Sequence, residues 1–580
     1  MTTAVKTLET ETRFDWGGIV RLGLLAAVIA LSLNLIGLVG TFAGRDIIGG
    51  MISVGHIFLF GAAVGGGYLT AQRNGGDRAG TTLLGGLVIG LISSLPLVLL
   101  VIAGGVVDSE GEILLRQFLP NVSPTLLETL TFDQETMLGL LILVALSAVM
   151  GLTGAGITLI PSRVRQPLLW GLMAVFLVGL LAEVIILAWG NQGLGLVIRR
   201  FVFAARGLSV LGAALVFLIV AGLNTWWSSQ GEGIKTRVNT LPPGQQRNLR
   251  WGGIGLGILV MLFLPLILRT YLTEVVDNIG IFILMGLGLN IVVGFAGMLN
   301  LGYVAFFAIG AYTMAVLTSE AALGIAGMSF WAALPFAVLA AALTGILLVI
   351  PVLKMRGDYL AIVTLGFGEI IRILALSDAL APFIGGAQGI LKIPNVSVGG
   401  MELIKPEQLY YVILAGCLLA FFVSWRLRDA RIGRQWRALR EDEDVAEAMG
   451  INLVKTKLLA FAIGAAFAGL SGAIFACKLN SIFPHSFNMM ISINVLCLII
   501  VGGIGSLPGV VVGAILLVGL PELLREFAEY RMLMYGALLI VMMLARPEGF
   551  WPSEVMKREL RSDVDEPVPP SGGGRASEPV

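Results

Sequence analysis

WRLRDARIGRQWRALREDEDVAEAMGINLVKTK, residues 425–457, is the longest polar, charge-dense run in a chain that is otherwise mostly oily. It lies between two apolar segments, 409–425 and 457–479. An arginine-rich loop between two spans belongs on the cytoplasmic side of a membrane. Its second half has helix-forming composition (Arg, Glu, Ala, Met), and Gly450 closes it as a helix stop. A charge run is most often a solvated connector. Here the composition, the position and the flanking segments favour a short surface helix that meets a soluble partner.

The 580 residues are 57% hydrophobic and 13% charged, with a mean hydropathy of +0.92. A soluble protein carries about 25% charged residues. A deficit of this size over this length predicts an all-α polytopic membrane protein, not a soluble domain on an anchor. The 76 glycines suit helices packed closely in lipid. A net charge of +1 offers no footing for nucleic acid or for an acidic partner. Cys417, Cys477 and Cys497 all fall in apolar segments and read as small core residues, not as a disulfide framework or a metal site. His56 and His485 lack ligand-like spacing. The N-terminus, MTTAVKTLETETRFDW, is too polar and acidic for a signal peptide, so the first span is expected to stay in the mature protein. No catalytic or cofactor motif is present: there is no Walker-type phosphate loop, no G-x-G-x-x-G after a strand and no H-E-x-x-H. If ATP drives this protein, another chain must bind it.

A span needs roughly 20 apolar residues. The first half offers 17–43, 50–70, 80–104, 137–160, 167–189 and 207–227. Arg73 and Arg78, Arg163 and Arg165, and then Lys235, Arg237, Arg247 and Arg250 mark cytoplasmic loops, whereas the acidic loop 105–136 (Asp108, Glu110, Glu112, Glu128, Asp133, Glu135) faces outside. Arg199, Arg200 and Arg206 run against the charge rule on the outer side. The polar segment 228–250, with its Gly, Pro and Gln, reads as a cytoplasmic linker between a membrane bundle, 1–227, and a second membrane domain, 251–550. That domain offers spans at 251–271, 276–297, 300–317, 331–353, 359–377, 409–425, 457–479, 490–504, 508–520 and 531–546. The expected total is about sixteen transmembrane helices, with both termini cytoplasmic. This places 425–457 and Lys354–Asp358 inside and 378–408 outside. Segments 490–504 and 508–520, parted by GSLPG, are short enough to be broken or re-entrant helices. The tail 551–580 is cytoplasmic, and its last twenty residues are rich in Pro, Gly and Ser, a disordered composition.

The halves echo each other. LSLNLIG at 31–37 precedes GMISVGHIFLFGA at 50–62, and LGLNIVVG at 287–294 precedes GMLNLGYVAFFAIGA at 297–311. Apolar segments resemble one another by chance, but the shared Asn34/Asn290, Ser53/Asn300 and Gly55/Gly302 favour duplication of a permease-like unit. The unequal gap between the blocks counts against it. No charged loop like 425–457 occurs in the first half.

Polar residues inside spans are costly, so each is a candidate for function. Asn290, Asn300 and Tyr303 flank an expected break between spans, GFAGMLNLGY, where freed backbone groups and asparagine amides could bind a polar solute. Interhelical hydrogen bonding is the equally weighted alternative. Glu369 and Arg372 share a helix face, where a mutual ion pair is favoured over a solute site. Thr364, Gly366 and Gly368 allow close helix approach or a kink, and Glu183 has no obvious neighbour in sequence.

LNIVVGFAGMLNLGYVAFFAIGAY, RGDYLAIVTLGFGEIIRI, EDEDVAEAMGINLVKTKLLAFAIGAAFAGLSGAIF and IIVGGIGSLPGVVVGAILLVGLPELLRE follow one another in order. Together, over about 270–550, they closely resemble the permease subunits of branched-chain amino acid ABC importers, a superfamily that includes urea and short-amide permeases. The resemblance implies an ABC importer permease fold in the C-terminal half. It implies a transport subunit of the bacterial plasma membrane that is not itself an enzyme. Its partners would be separate ATP-binding subunits, an extracytoplasmic solute-binding protein, and a second permease chain or a second copy of this one. Ala446, Glu447, Ala448 and Gly450 match part of the E-A-A…G coupling loop, and with Arg437 they are the residues expected to couple to the ATPase. Asn290, Asn300, Tyr303, Thr364 and Glu369 would sit near the translocation path. Permeases of this family do not need the first half, whose GMISVGHIFLFGA resembles the partner permease subunit in reduced form. A secondary transporter or channel is the rival reading from another class.

Overall fold

The computed structural model describes residues 16–552 apart from 74–78, 106–117, 190–198, 205–206, 240–241, 322, 326, 354, 356, 524–529 and 547. Arg78, Asp108, Glu110, Glu112, Arg206 and Lys354, and the tail from 553 onward, lie outside the described residues. Helices dominate. Strand is confined, among the described residues, to two small hairpins, Asp46–Ile48 with Ile52–Ser53 and Ser397–Val398 with Met401–Glu402, and to isolated bridges. The chain forms two compact units, Met1–Trp251 and Gly252–Val580.

The long helices of the first unit are Trp16–Leu35, Val54–Arg73, Ala79–Gly104, Thr136–Leu159, Ser162–Leu180 and Val210–Asn239. Ala79–Gly104 lies against Thr136–Leu159 with backbones almost touching, since a Cβ on Gly86 would fall 2.4 Å from the Gly151 carbonyl oxygen. Small residues permit this approach, which recovers dispersion contacts that lipid alone would not drive. Val39, Leu59, Phe60, Leu97 and Leu143 fill the core. The expected 228–250 linker is helical as far as Asn239 and again from Pro243. Polar composition marked where the apolar run stopped, but Gln, Glu, Lys and Arg are also good helix formers, so the helix extends past its apolar part.

In the second unit Leu453–Leu479 is the central helix, packed by Phe330–Val352 and Val304–Thr318. Ala460, Phe461, Ala465, Ala468, Ala473 and Cys477 on it are fully or nearly fully buried. Large apolar side chains on other helices point outward, including Tyr359, Ile362 and Phe422, as they should where the solvent is lipid.

Among the described residues, twelve helices are long and apolar enough to cross a membrane. The sequence suggested about sixteen spans. Segments 251–271 and 276–297 fall in one apolar run, Gly255–Phe295, interrupted at Arg269 by a left-handed backbone (φ 59°). Segments 300–317, 508–520 and 531–546 form Val304–Thr318, Leu507–Leu523 and Arg531–Ala545, all under the roughly 20 residues of a full span. Apolar length overestimates helix length wherever the chain breaks for tertiary reasons. The break expected at GSLPG is present: Met489–Gly502 ends, Gly503 (φ 115°) and Gly505 (φ 78°) turn the chain, and Leu507–Ala514 returns against it.

Candidate functional site

The run Gly255–Phe295 ends in a wide π turn, Asn290–Phe295, and helix resumes only at Val304. In lipid, backbone groups freed by such a break must find partners inside the protein. Here side chains supply them. Asn290 Oδ1 accepts the Gly505 N–H at 2.9 Å. Asn300 Oδ1 accepts the Gly302 N–H at 3.0 Å. Thr364 Oγ1 accepts the Leu301 N–H at 3.1 Å, and Ser492 Oγ accepts the Val304 N–H at 2.9 Å. The Tyr303 hydroxyl donates to the Gly464 carbonyl at 2.7 Å.

Asn290, Asn300, Tyr303 and Thr364 are thus brought together around one break, each fully buried. Tyr303 and Thr364 spend their hydroxyls on backbone; Thr364 also donates to the Ala361 carbonyl. The Nδ2 atoms of Asn290 and Asn300 are buried without a hydrogen-bond partner among the described residues. These two amides keep unspent N–H donors. Gly302 allows Asp358–Leu376 to close against the break, since a Cβ there would lie 1.7 Å from the Thr364 carbonyl oxygen. Gly368 faces Gly302, whereas Gly366 faces open space.

Glu369 is apart from this group. It lies on the more exposed side of Asp358–Leu376, its carboxylate held by Arg372 Nε at 2.9 and 3.0 Å. Beside it Val304, Ala308, Tyr312, Gly368, Arg372 and Phe487 line a cavity of about 10 Å³, room for one water.

The polar loop folds as two short helices, Arg431–Glu441 and Glu443–Ala448, hinged at Asp442. Arg431–Glu441 buries one stripe, Gly433, Trp436 and Leu439. Trp436 is fully buried, and its indole N–H donates to the Thr456 carbonyl at 3.0 Å. Arg437 reaches back to the Gly433 and Arg428 carbonyls, both at 3.4 Å, and so braces the corner. Asp442 caps the second helix through the Asp444 and Val445 N–H groups. Its other end is closed by Gly450 in the left-handed conformation (φ 84°), with Gly450 N–H on Glu447 O and Ile451 N–H on Ala446 O. Those two bonds form a Schellman motif, which satisfies the last carbonyls and favours glycine at this position. Ala446 points inward, whereas Val445, Glu447, Ala448 and Met449 are exposed. The buried Lys457 ammonium donates to Glu443 at 2.9 Å and fastens this helix to Leu453–Leu479.

Sequence reasoning missed Trp436, Arg440, Lys457 and Ser492. A tryptophan inside an arginine-rich loop and a lysine inside an apolar span were the available signals. It also passed over Asp277, fully buried with no hydrogen-bond partner on either oxygen among the described residues, and its neighbour Asn278, which accepts from Lys478. Glu183, without a partner in sequence, pairs with Arg45. The first unit has a similar break: helix ends at Leu35, after the buried Asn34, and resumes as a long helix at Val54, beside Ser53. Cys417, Cys477 and Cys497 are free thiols. Among the described residues no group of three His, Cys, Asp or Glu could hold a metal ion.

Residues 271–543 match the family model described as branched-chain amino acid transport system / permease component. The high-affinity branched-chain amino acid transport system permease protein LivM of Escherichia coli is 45% identical over 305 residues, covering 49% of this chain and 70% of the relative. LivM of Salmonella typhimurium is 43% identical over the same length, with the same coverage. The Escherichia coli permease protein LivH is 35% identical over 126 residues, covering 21% of this chain and 40% of the relative. No solved structure matches the chain.

Proposed function

The chain belongs to the branched-chain amino acid transport permease family, and from that premise we propose how it works as the membrane permease of a branched-chain amino acid ABC importer. It is a multi-pass transport subunit. ATP is hydrolysed by separate subunits that dock on loop 425–457, which faces the cytoplasm together with both chain termini. A solute-binding protein outside the membrane delivers the amino acid.

The observation that carries the docking surface is the exposed face of Glu443–Ala448. Val445 is 59% exposed and Met449 79% exposed, one helical turn apart on one side, and Glu447 is exposed on another. Apolar side chains four apart on a short polar helix suit insertion into a groove of a partner. Capping at both ends and the Lys457 anchor make the helix rigid enough to pass on a push. Ala446 seats it, Glu447 and Ala448 present it, Gly450 ends it and Arg437 holds its approach.

The solute would pass the break at 296–303, where Asn290 and Asn300 offer unspent amide donors and Tyr303 and Thr364 hold the walls. Glu369 would lie at the edge of that path. Residues 1–227 form a membrane bundle derived from a permease-like half, a reading supported by the similar break after Asn34. Two ATPases need two docking loops, and the sequence offers one. A second permease chain or a second copy of this one supplies the other.

The test is ATP-dependent uptake of leucine, isoleucine, valine and urea into vesicles holding the complex, with and without the ATPase subunits. Leucine uptake that requires ATPase, and its loss in Glu447→Arg with normal membrane insertion, are expected. Uptake driven by an ion gradient alone would sink this reading. A distinct permease chain in equal amount in the purified complex would reject self-pairing.

A further inference from the structure

The last carbonyls of a helix have no donor within it and carry its partial negative charge. At the π turn the Met298 N–H donates to the Val292 carbonyl at 3.0 Å and not to Gly294. The Gly294 carbonyl is taken instead by Arg440 Nη1, at 2.8 Å. Arg440 comes from the surface helix Arg431–Glu441, far away in sequence. Its guanidinium therefore caps the broken membrane helix with a charge of the favourable sign.

The contact is closely fitted. Gly297 has φ 71°, and a Cβ there would lie 2.7 Å from Arg440 Cγ and 3.1 Å from Arg440 Cα. On the other side, a Cβ on Gly505 would lie 3.6 Å from Arg440 Nη1. Gly505 is also the residue whose N–H holds Asn290. The surface helix thus touches the break at 294–297 and the turn at 503–506 through one residue, Arg440, while Trp436 fixes its other part to Leu453–Leu479.

We propose that Arg440 is the positioning residue through which movement of the surface helix reaches the break at 296–303, so that ATPase closure changes the backbone around Asn290 and Asn300. Rigid elements with fixed contacts transmit such motion as displacement of whole helices. Arg440→Ala would leave the docking helix Glu443–Ala448 intact but remove the charged cap on the Gly294 carbonyl, keeping only the backbone approach at Gly297. This rests on the reading of 425–457 as the ATPase-docking loop.

The experiment compares wild type, Arg440→Ala, Arg440→Lys and Arg440→Gln in the full reconstituted complex, with leucine as the probe. Three quantities are measured: ATPase subunits captured per permease, ATP hydrolysis without leucine, and its stimulation by leucine together with uptake. Arg440→Ala is expected to keep capture and basal hydrolysis and to lose leucine stimulation and uptake about tenfold. Arg440→Lys, which keeps a charged donor, should recover most of both. Stimulation at the wild-type ratio in Arg440→Ala overturns the proposal, as does loss of capture along with stimulation, which would mark a merely structural role. If Arg440→Ala does not reach the membrane, Arg440→Gln decides: a lowered stimulation ratio supports the link, a wild-type ratio overturns it. A wild-type complex without ATP-driven uptake would instead remove the docking reading itself.

Discussion

Trp436 shows how one residue converts a charged loop into a fixed device. Its indole is fully buried, and its N–H finds the Thr456 carbonyl. Around it Arg431 and Arg434 stay in solvent while Arg437 and Arg440 turn back onto backbone carbonyls, so the side chain acts as a pin between a polar helix and a membrane helix. Truncating a buried tryptophan costs about 3–5 kcal/mol. Trp436→Ala is expected to lower the unfolding temperature in detergent and to open the arginines at 426–440 to trypsin. Unchanged trypsin cutting in that variant would show that the pin is dispensable. Tyr303 is a pin of the same kind within the membrane, because its hydroxyl is spent on the Gly464 carbonyl. Its position beside the break therefore says more about holding helices together than about touching solute.

At the scale of elements, the break between Phe295 and Val304 depends on how closely Asp358–Leu376 can approach it. Gly302 sets that distance, since any side chain there would drive into the Thr364 carbonyl. Gly302→Ala is expected to separate the two elements and to abolish folded protein in detergent. Gly366 sits on the same neighbouring helix, and a Cβ added to it would meet no atom within 4 Å. Gly366→Ala should therefore be neutral, or stabilising by about 0.5–1 kcal/mol through helix propensity. Size-exclusion profiles and unfolding temperatures of the two variants check the contrast. Equal behaviour would mean that close approach at Gly302 does not matter. The two surface helices are controlled differently. Asp442 and Gly450 terminate Glu443–Ala448 by local hydrogen bonds, so its two ends are set by its own sequence while Ala446 and the Lys457–Glu443 pair hold it in place.

For the whole molecule, the proposed orientation places Met449 in the cytoplasm and Ile404 outside. Both are strongly exposed, 79% and 70%. With Cys417, Cys477 and Cys497 replaced, Met449→Cys should react with an impermeant maleimide only in inverted vesicles, and Ile404→Cys only in intact cells. The reverse pattern would invert the topology and exclude ATPase docking at 425–457. The amino-acid sequence by itself determined the class: long apolar segments, few charges and an arginine-rich interruption leave little but a helical membrane protein, because lipid penalises every exposed polar group. It also located the break near GFAGMLNLGY and the end of the surface helix at Gly450, since asparagine in a span and glycine after a helix each have a local physical reason to be there. Local reasons could not say where an apolar run stops being helix, which merged two expected spans and shortened three others. Nor could they pair Arg440 with Gly294, Asn290 with Gly505 or Arg45 with Glu183. Those partners are remote in sequence, and only the folded chain brings their donors and acceptors within a hydrogen bond's reach.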